Sequence, residues 1–212
     1  MLKNMIKMMI RLLSEVKNMV YILFNRMYLW SMDVRYGRNM RITGSVSLII
    51  RGKPENIVIG NNFTCTGGLV LNNREDGKIR IGDDIFFDKN VELCAARSAV
   101  LAIDDRTTIC SRCICNAGAD ISIGKATVFA ANCNVNSSER ERKAGISMIE
   151  QEYLHAPISI GDDVWFGVNV SVLKGVSIGN GAIIGSNAVV TSDIEHNAIA
   201  VGVPAKTIKY RQ

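Results

Sequence analysis

Histidine is almost missing from this chain: His155 and His196 are the only two among 212 residues. Two imidazoles cannot build a three-histidine metal centre, and the cysteines supply no substitute. Cys110, Cys113 and Cys115 lie close together, but no second group of Cys or His stands at zinc-ligand spacing. No metal is expected. No cleavable signal peptide is visible either, so the six cysteines are expected as reduced, small apolar side chains of a cytoplasmic protein. A glycine-rich nucleotide loop is also lacking, which argues against a nucleotide-transfer domain upstream. Charge excludes little: a net +5 and a pI near 8.9 suit an anionic small molecule or a membrane surface as well as nucleic acid.

The length suffices for one sizeable domain and an appendage. Residues 1–33 are the appendage. Leu2, Met5, Met9, Leu12, Val16, Met19, Leu23, Met27 and Trp30 recur at three- and four-residue steps with no Pro or Gly among them, which predicts an amphipathic helix. Lys3, Lys7, Arg11, Lys17 and Arg26 face mostly elsewhere, against a single acid, Glu15. Charges interrupt the apolar residues well before the roughly 20 needed to span a bilayer. Such a helix either lies on an anionic membrane surface, helped by Tyr21, Phe24, Tyr28 and Trp30, or packs on the rest of the protein or on sister subunits.

From Val34 onward the pattern changes to a repeat of six. It shows in Asn56-Ile-Val-Ile-Gly-Asn61, Lys78-Ile-Arg-Ile-Gly-Asp83 and Asp120-Ile-Ser-Ile-Gly-Lys125, and runs almost unbroken from Ile158 to Asp193. A period of two would mean ordinary half-buried strands and one near 3.6 a helix. Six, with Gly, Asn or Asp after the apolar residue, means a short strand and then a corner. Such a unit cannot bury its apolar residue alone. Stacked rungs bury it together, as a solenoid of parallel strands around a column of Ile, Val and small residues.

These repeats, the segment Ile160-Gly-Asp-Asp-Val-Trp-Phe-Gly167 and the ending Ala200-Val-Gly-Val-Pro-Ala-Lys206 resemble the hexapeptide-repeat acetyltransferases, in particular the maltose, galactoside and surface-polysaccharide O-acetyltransferases. The resemblance covers roughly Tyr36 to Lys209. It implies a mainly β fold: a left-handed parallel β-helix over residues 34–204, a loop projecting at 136–157 and a C-terminal tail at 205–212. It further implies homotrimers with active sites between subunits, acetyl-coenzyme A as donor, and a small-molecule or glycan acceptor with no nucleic acid involved. The left hand departs from the usual crossover rule and rests on the resemblance alone. Three interruptions break the repeat, at 49–56, at 74–78 with 94–100, and at 136–157; the last, long and charged, is where function is expected.

Moving an acetyl group from a thioester to a hydroxyl needs a base for the hydroxyl proton and hydrogen-bond donors for the oxyanion. His155 ends the long interruption just before the repeat resumes at Ile158, whereas His196 sits in an exposed link, so His155 is the expected catalytic base. Glu150, Glu152 or a carboxylate of the next subunit would orient it. The family's catalytic histidine usually stands at the start of the loop, where this chain reads Asn136-Ser-Ser-Glu-Arg140; Asn136 and Ser138 are assigned to acceptor binding. His155-Ala-Pro-Ile158 is similar to an arrangement in serine acetyltransferases. Trp165 matches a tryptophan that in the sugar O-acetyltransferases lines the acceptor and thioester region. The N–H of Gly167 is a candidate oxyanion donor. By the same resemblance Gly167, Val168, Gly185, Ser186, Thr191 and Ser192 line the coenzyme A arm, and Lys206 and Lys209, with help from Arg211, meet its phosphates.

The leading expectation is an O-acetyltransferase acting on a sugar of a surface polysaccharide or its precursor, cytoplasmic and brought by its basic helix to the inner membrane face. A serine or amino-sugar N-acetyltransferase is one alternative. A catalytically silent β-helix scaffold is another, supported by the missing early-loop histidine. A γ-type carbonic anhydrase shares the coil but needs three histidines.

Overall fold

The computed structural model describes residues 2–212. One helix, Leu2–Ser31, precedes a chain made of short strands. Successive strands go to successive sheets: Ile121–Ile123 lies in a first parallel face, Val128–Phe129 in a second and Asn134–Asn136 in a third. The strand beside each one in its sheet is a full turn away along the chain, so that Leu101 pairs with Ile121 and Ile121 with Ile158. The product is a parallel β-solenoid, as the repeat of six predicts, and it has three sides.

Short strands hold because their backbone groups are satisfied between rungs. Val128 N–H donates to Val164 C=O at 2.8 Å and Ala130 N–H to Phe166 C=O at 2.9 Å. Inward side chains then stack at one-rung spacing. Ile109, Phe129, Phe166 and Ile184 form a buried column under the second face, and the Phe129 and Phe166 rings lie parallel with centroids 4.3 Å apart. Each such side chain contributes about 1.5–3 kcal/mol on burial, which no single six-residue unit obtains alone. Asn132, Asn169 and Asn187 occupy the left-handed region at corners, with φ of 62–63°, where asparagine is tolerated better than most residues. Cys65 and Cys115 belong to the same interior, and burial pushes their thiols up to about 11 and about 12.

Both ends depart from the regular coil. Residues 205–212, expected as a tail, contain a strand, Lys206–Tyr210, that runs antiparallel to Ala198–Val201 and extends the second face. Arg211 fastens it, with a guanidinium N–H 2.8 Å from Asp163 Oδ2 and 3.0 Å from Gly181 C=O. At the other end only the last turns of the helix touch the coil. Asn25 Nδ2 donates to Ile42 C=O and Gly44 C=O at 3.0 and 2.8 Å, Arg26 Nε donates to Met40 C=O at 3.1 Å, and Leu29 is buried. Among the described residues no helix is long and apolar enough to cross a membrane.

Candidate active site

The three interruptions of the repeat are far apart in sequence but coincide in space. Strands Val46–Ile50, Leu69–Asn73, Val91–Ala95, Ile114–Ala117 and Asn134–Asn136 stack in register on the third face. The segment leaving each strand therefore emerges at one corner, between the third face and the first. Residues 51–56, 74–77, 96–99 and 136–157 all lie there.

The longest of these folds as a hairpin, Ser138–Arg140 against Tyr153–His155. Its ladder bonds run from Glu141 N–H to Glu152 C=O and from Ala156 N–H to Ser137 C=O. Antiparallel pairs alternate, so Ser138 opposite His155 and Arg140 opposite Tyr153 are the non-hydrogen-bonded pairs, whose side chains approach most closely and share one face. On that face Ser138 Oγ lies 2.9 Å from His155 Nδ1, the His155 and Tyr153 rings stack with centroids 6.1 Å apart, and the Arg140 guanidinium covers Tyr153. Asn136 Oδ1 fixes the base of the hairpin by accepting from Ser138 N–H at 3.1 Å and from Asn116 Nδ2 at 3.3 Å. Gly118 lies beneath the pair. A Cβ there would come within 2.3 Å of Ser138 Oγ and 2.4 Å of His155 Nδ1, so the arrangement requires glycine.

This face closes one side of a cavity of about 360 Å³, whose other walls include Arg74, Glu75, Arg97 and Asn116. Among the described residues neither Arg74 nor Arg97 is in an ion pair, although Glu75 accepts a hydrogen bond from the backbone of Arg97. Burial first, and the charge of Arg97 second, hold the His155 imidazole below its ordinary range and keep it neutral at neutral pH. A neutral imidazole is what a general base must be. A hollow of about 420 Å³ over the first face, lined by residues such as Arg80, Ala102 and Ser122, contains no histidine.

Of the residues singled out from sequence, His155, Ser138 and Asn136 therefore meet at one corner. His196 is separate and occupied, its Nδ1 accepting from Asn180 N–H at 3.0 Å. Glu150 and Glu152, suggested as orienting carboxylates, are exposed, and the atom beside His155 Nδ1 is the Ser138 hydroxyl instead. Trp165 is half-exposed on the second face and does not line the cavity. The sequence places it ten residues from His155, but the coil turns a corner in between.

The residues assigned to coenzyme A divide between two corners. Gly167 and Val168 stack on Gly185 and Ser186 where the second face passes to the third, while Thr191 and Ser192 lie at the hairpin's own corner, two rungs further on. The expectation that Gly167 donates to an oxyanion is not met: its N–H already donates to Ile184 C=O at 2.8 Å. A Cβ at Gly167 would lie 2.6 Å from Ser186 N, which makes this glycine a packing requirement of the stack. Val168 N–H is likewise taken by Ser186 Oγ at 3.1 Å and Gly185 N–H by Ala200 C=O at 2.8 Å. The amides of Ser186, Thr191 and Ser192 have no such partner among the described residues, and Lys206 and Lys209 are exposed and outside any ion pair. Arg211 is not free for a phosphate, being held by Asp163.

Sequence reasoning missed Arg74, Arg97, Tyr153 and Gly118. The interruptions pointed to the first two, but only rung pairing aligns segments about twenty residues apart. Among the described residues no group of three or more His, Cys, Asp or Glu is arranged to hold a metal ion.

Known proteins resemble both the sequence and the coil. Residues 157–192 match the family described as bacterial transferase hexapeptide (six repeats). A Mycobacterium tuberculosis protein named as a probable acetyltransferase is 32% identical over 194 residues, covering 91% of this chain and 62% of the relative, so this chain spans only part of that relative's length. Escherichia coli WbbJ, whose name assigns it to lipopolysaccharide biosynthesis as an O-acetyl transferase, is 30% identical over 156 residues, 72% of this chain and 71% of WbbJ. Among solved structures, the polysialic acid O-acetyltransferase OatWY superposes with a TM-score of 0.56 at 24% identity, over 82% of this chain and 85% of that one. A variant of AntD, an N-acyltransferase from Bacillus cereus in complex with dTDP and coenzyme A, gives 0.58 at 19% identity, over 87% and 89%. These two likenesses concern the fold. With the repeat, the three-faced coil and relatives aligned along most of its length, the chain belongs to the hexapeptide-repeat family of acetyltransferases.

Proposed function

We propose that this chain is an acetyl-coenzyme A-dependent O-acetyltransferase whose acceptor is a hydroxyl of a sugar in a surface polysaccharide or its precursor. The observation that carries the reading is the Ser138–His155 pair, held at 2.9 Å on the wall of a polar cavity by a glycine that leaves room for nothing larger. In the tautomer that donates Nδ1–H to Ser138 Oγ, the Nε2 lone pair is free to take a proton. The acceptor hydroxyl oxygen attacks the thioester carbonyl carbon while His155 removes its proton. The tetrahedral adduct collapses with loss of the C–S bond, and the proton passes from His155 to the departing coenzyme A sulfur.

The free amides of Thr191 and Ser192 lie along the same corner, about 10 Å from the hairpin at roughly 4.8 Å per rung, and suit the pantetheine arm. Lys206 and Lys209 suit the phosphates. Trp165 stands on another face of its own chain, so the site envisaged takes Trp165 from a neighbouring copy, and a homotrimer is part of the proposal. Support for a sugar acceptor comes from the lining of Arg74, Glu75, Arg97, Asn116 and Tyr153, a polar wall with one aromatic face, and from the names of WbbJ and OatWY.

The test is thiol release from acetyl-coenzyme A across a panel of sugars, amino sugars and serine, with His155→Ala beside the wild type. A hydroxyl acceptor should be consumed by the wild type, and the variant should be slower by about 10²–10⁴-fold. Equal turnover would remove His155 from the chemistry. Preference for amino sugars or serine would make the transfer a different one, and coenzyme A binding without turnover on any acceptor would favour a scaffold.

A further inference from the structure

The coil accounts for the last turns of the helix and for nothing before them: residues 3–17 are all exposed. The exposure is mostly apolar. Met9, Leu13, Val16, Val20, Leu23 and Met27 are each between 55% and 69% exposed, and Trp30 is 75% exposed. At 3.6 residues per turn they fall within an arc of about 100° that runs the length of the helix. Asn25 and Leu29, which dock on the coil, lie on the opposite side, so the arc is turned away from the body. A helix whose apolar face meets no packing partner gains little stability from propensity alone, and a contiguous patch of this size marks an interaction surface.

We infer that this face docks in the plane of a lipid bilayer rich in anionic lipid. Charge selects that occupant. Lys3, Lys7, Arg11, Lys17 and Arg26 face one acid, Glu15, and the first three project from the side opposite the apolar arc. Basic stems on that side reach headgroup phosphates while the arc enters the acyl boundary. Tyr21, Phe24 and Tyr28 flank the apolar arc on one side and Trp30 edges it on the other, at the border of apolar and polar faces where aromatic rings prefer the interface. A bundle of these helices from several copies fits less well. It would bring uncompensated lysines and arginines together with only Glu15 to pair them, and a coiled-coil seam is no wider than this arc, leaving Ile10 and Phe24, 60% and 64% exposed, outside it.

The experiment is co-sedimentation of the full chain with vesicles of phosphatidylcholine alone and of phosphatidylcholine with about one third phosphatidylglycerol. Wild type should pellet with the anionic vesicles and be released by salt. Lys3→Gln, Lys7→Gln and Arg11→Gln combined should weaken partition about a hundredfold. Val16→Glu with Leu23→Glu should abolish it, with the oligomeric mass and thermal melt of the coil unchanged. Binding that ignores lipid charge overturns the inference. So does a wild type that ignores both vesicles, and in that case a fall in oligomeric mass on Val16→Glu with Leu23→Glu would assign the face to contacts between copies.

Discussion

Two corners of the same prism behave differently. Where the first face meets the second, the chain turns in a few residues every time, at Gly60-Asn61-Asn62, Gly82-Asp83-Asp84, Gly124-Lys125-Ala126 and Gly161-Asp162-Asp163. Each turn is tied to the next: Lys125 N–H donates to Asp162 Oδ1 at 2.7 Å, and Asp162 N–H to Asn180 Oδ1 at 3.0 Å. Amide donation from Asn61 holds the exposed Asp83 carboxyl below its usual range. Where the third face meets the first, turn length varies from rung to rung, and there the chain carries a hairpin, two arginines outside any ion pair among the described residues, and a histidine bonded to a serine. The lesson is one of cost. Lengthening a loop between two rungs that remain paired costs little entropy, so a single corner is free to vary while the coil beneath it stays regular.

The sharpest ways to test that division strike one side and spare the other. Phe166→Ala removes a ring stacked in the regular interior and should cost about 3–5 kcal/mol in denaturant unfolding. Its effect on any folded fraction's turnover should be minor. Gly118→Ala should do the reverse: the added methyl pushes the His155 ring itself, as well as Ser138, out of place, and turnover should fall about a hundredfold with far-ultraviolet circular dichroism intact. Gly60→Ala is its control at the tight corner. There the methyl would meet Gly82 C=O at 2.4 Å and should lower stability by about 1–3 kcal/mol while leaving the acceptor KM alone.

Two smaller effects sharpen the corner itself. Ser138→Ala removes the partner of His155 Nδ1 and should cost up to about tenfold in kcat, the worth of one hydrogen bond, without a matching change in KM. Arg97→Gln addresses pH. In the proposed reaction His155 works when neutral, and activity should be lost as pH falls through its pKa. Arg97 contributes to holding that pKa down, so the acid limb of the pH profile should move to higher pH in the variant, yet stay below the ordinary imidazole range because burial is the larger cause. An unmoved limb would place the controlling group elsewhere.

Much of the coil was readable in the residues. Ile121, Ile123 and Phe129 point inward where the repeat of six puts them, and the helix over Leu2–Ser31 follows its stripe closely. The site was readable only in part. His155 stood out because histidine is rare, but Ser138 was assigned to the acceptor and not to the imidazole, since a pairing across seventeen residues carries no signal until hairpin register sets the two opposite. Gly167 shows the opposite error. A glycine beside a groove suggested a free amide, yet the same rung pairing that builds the coil had already taken that N–H.

Periodicity is a local property, and from it the sequence by itself determined a stacked coil of parallel strands and an amphipathic helix, because side-chain spacing alone dictates which residues must share a buried face. Which distant segments meet is a matter of register between rungs. Only the tertiary structure decided that three separate interruptions occupy one corner, that Ser138 meets His155 there, and that Trp165, near in sequence, looks out from another side.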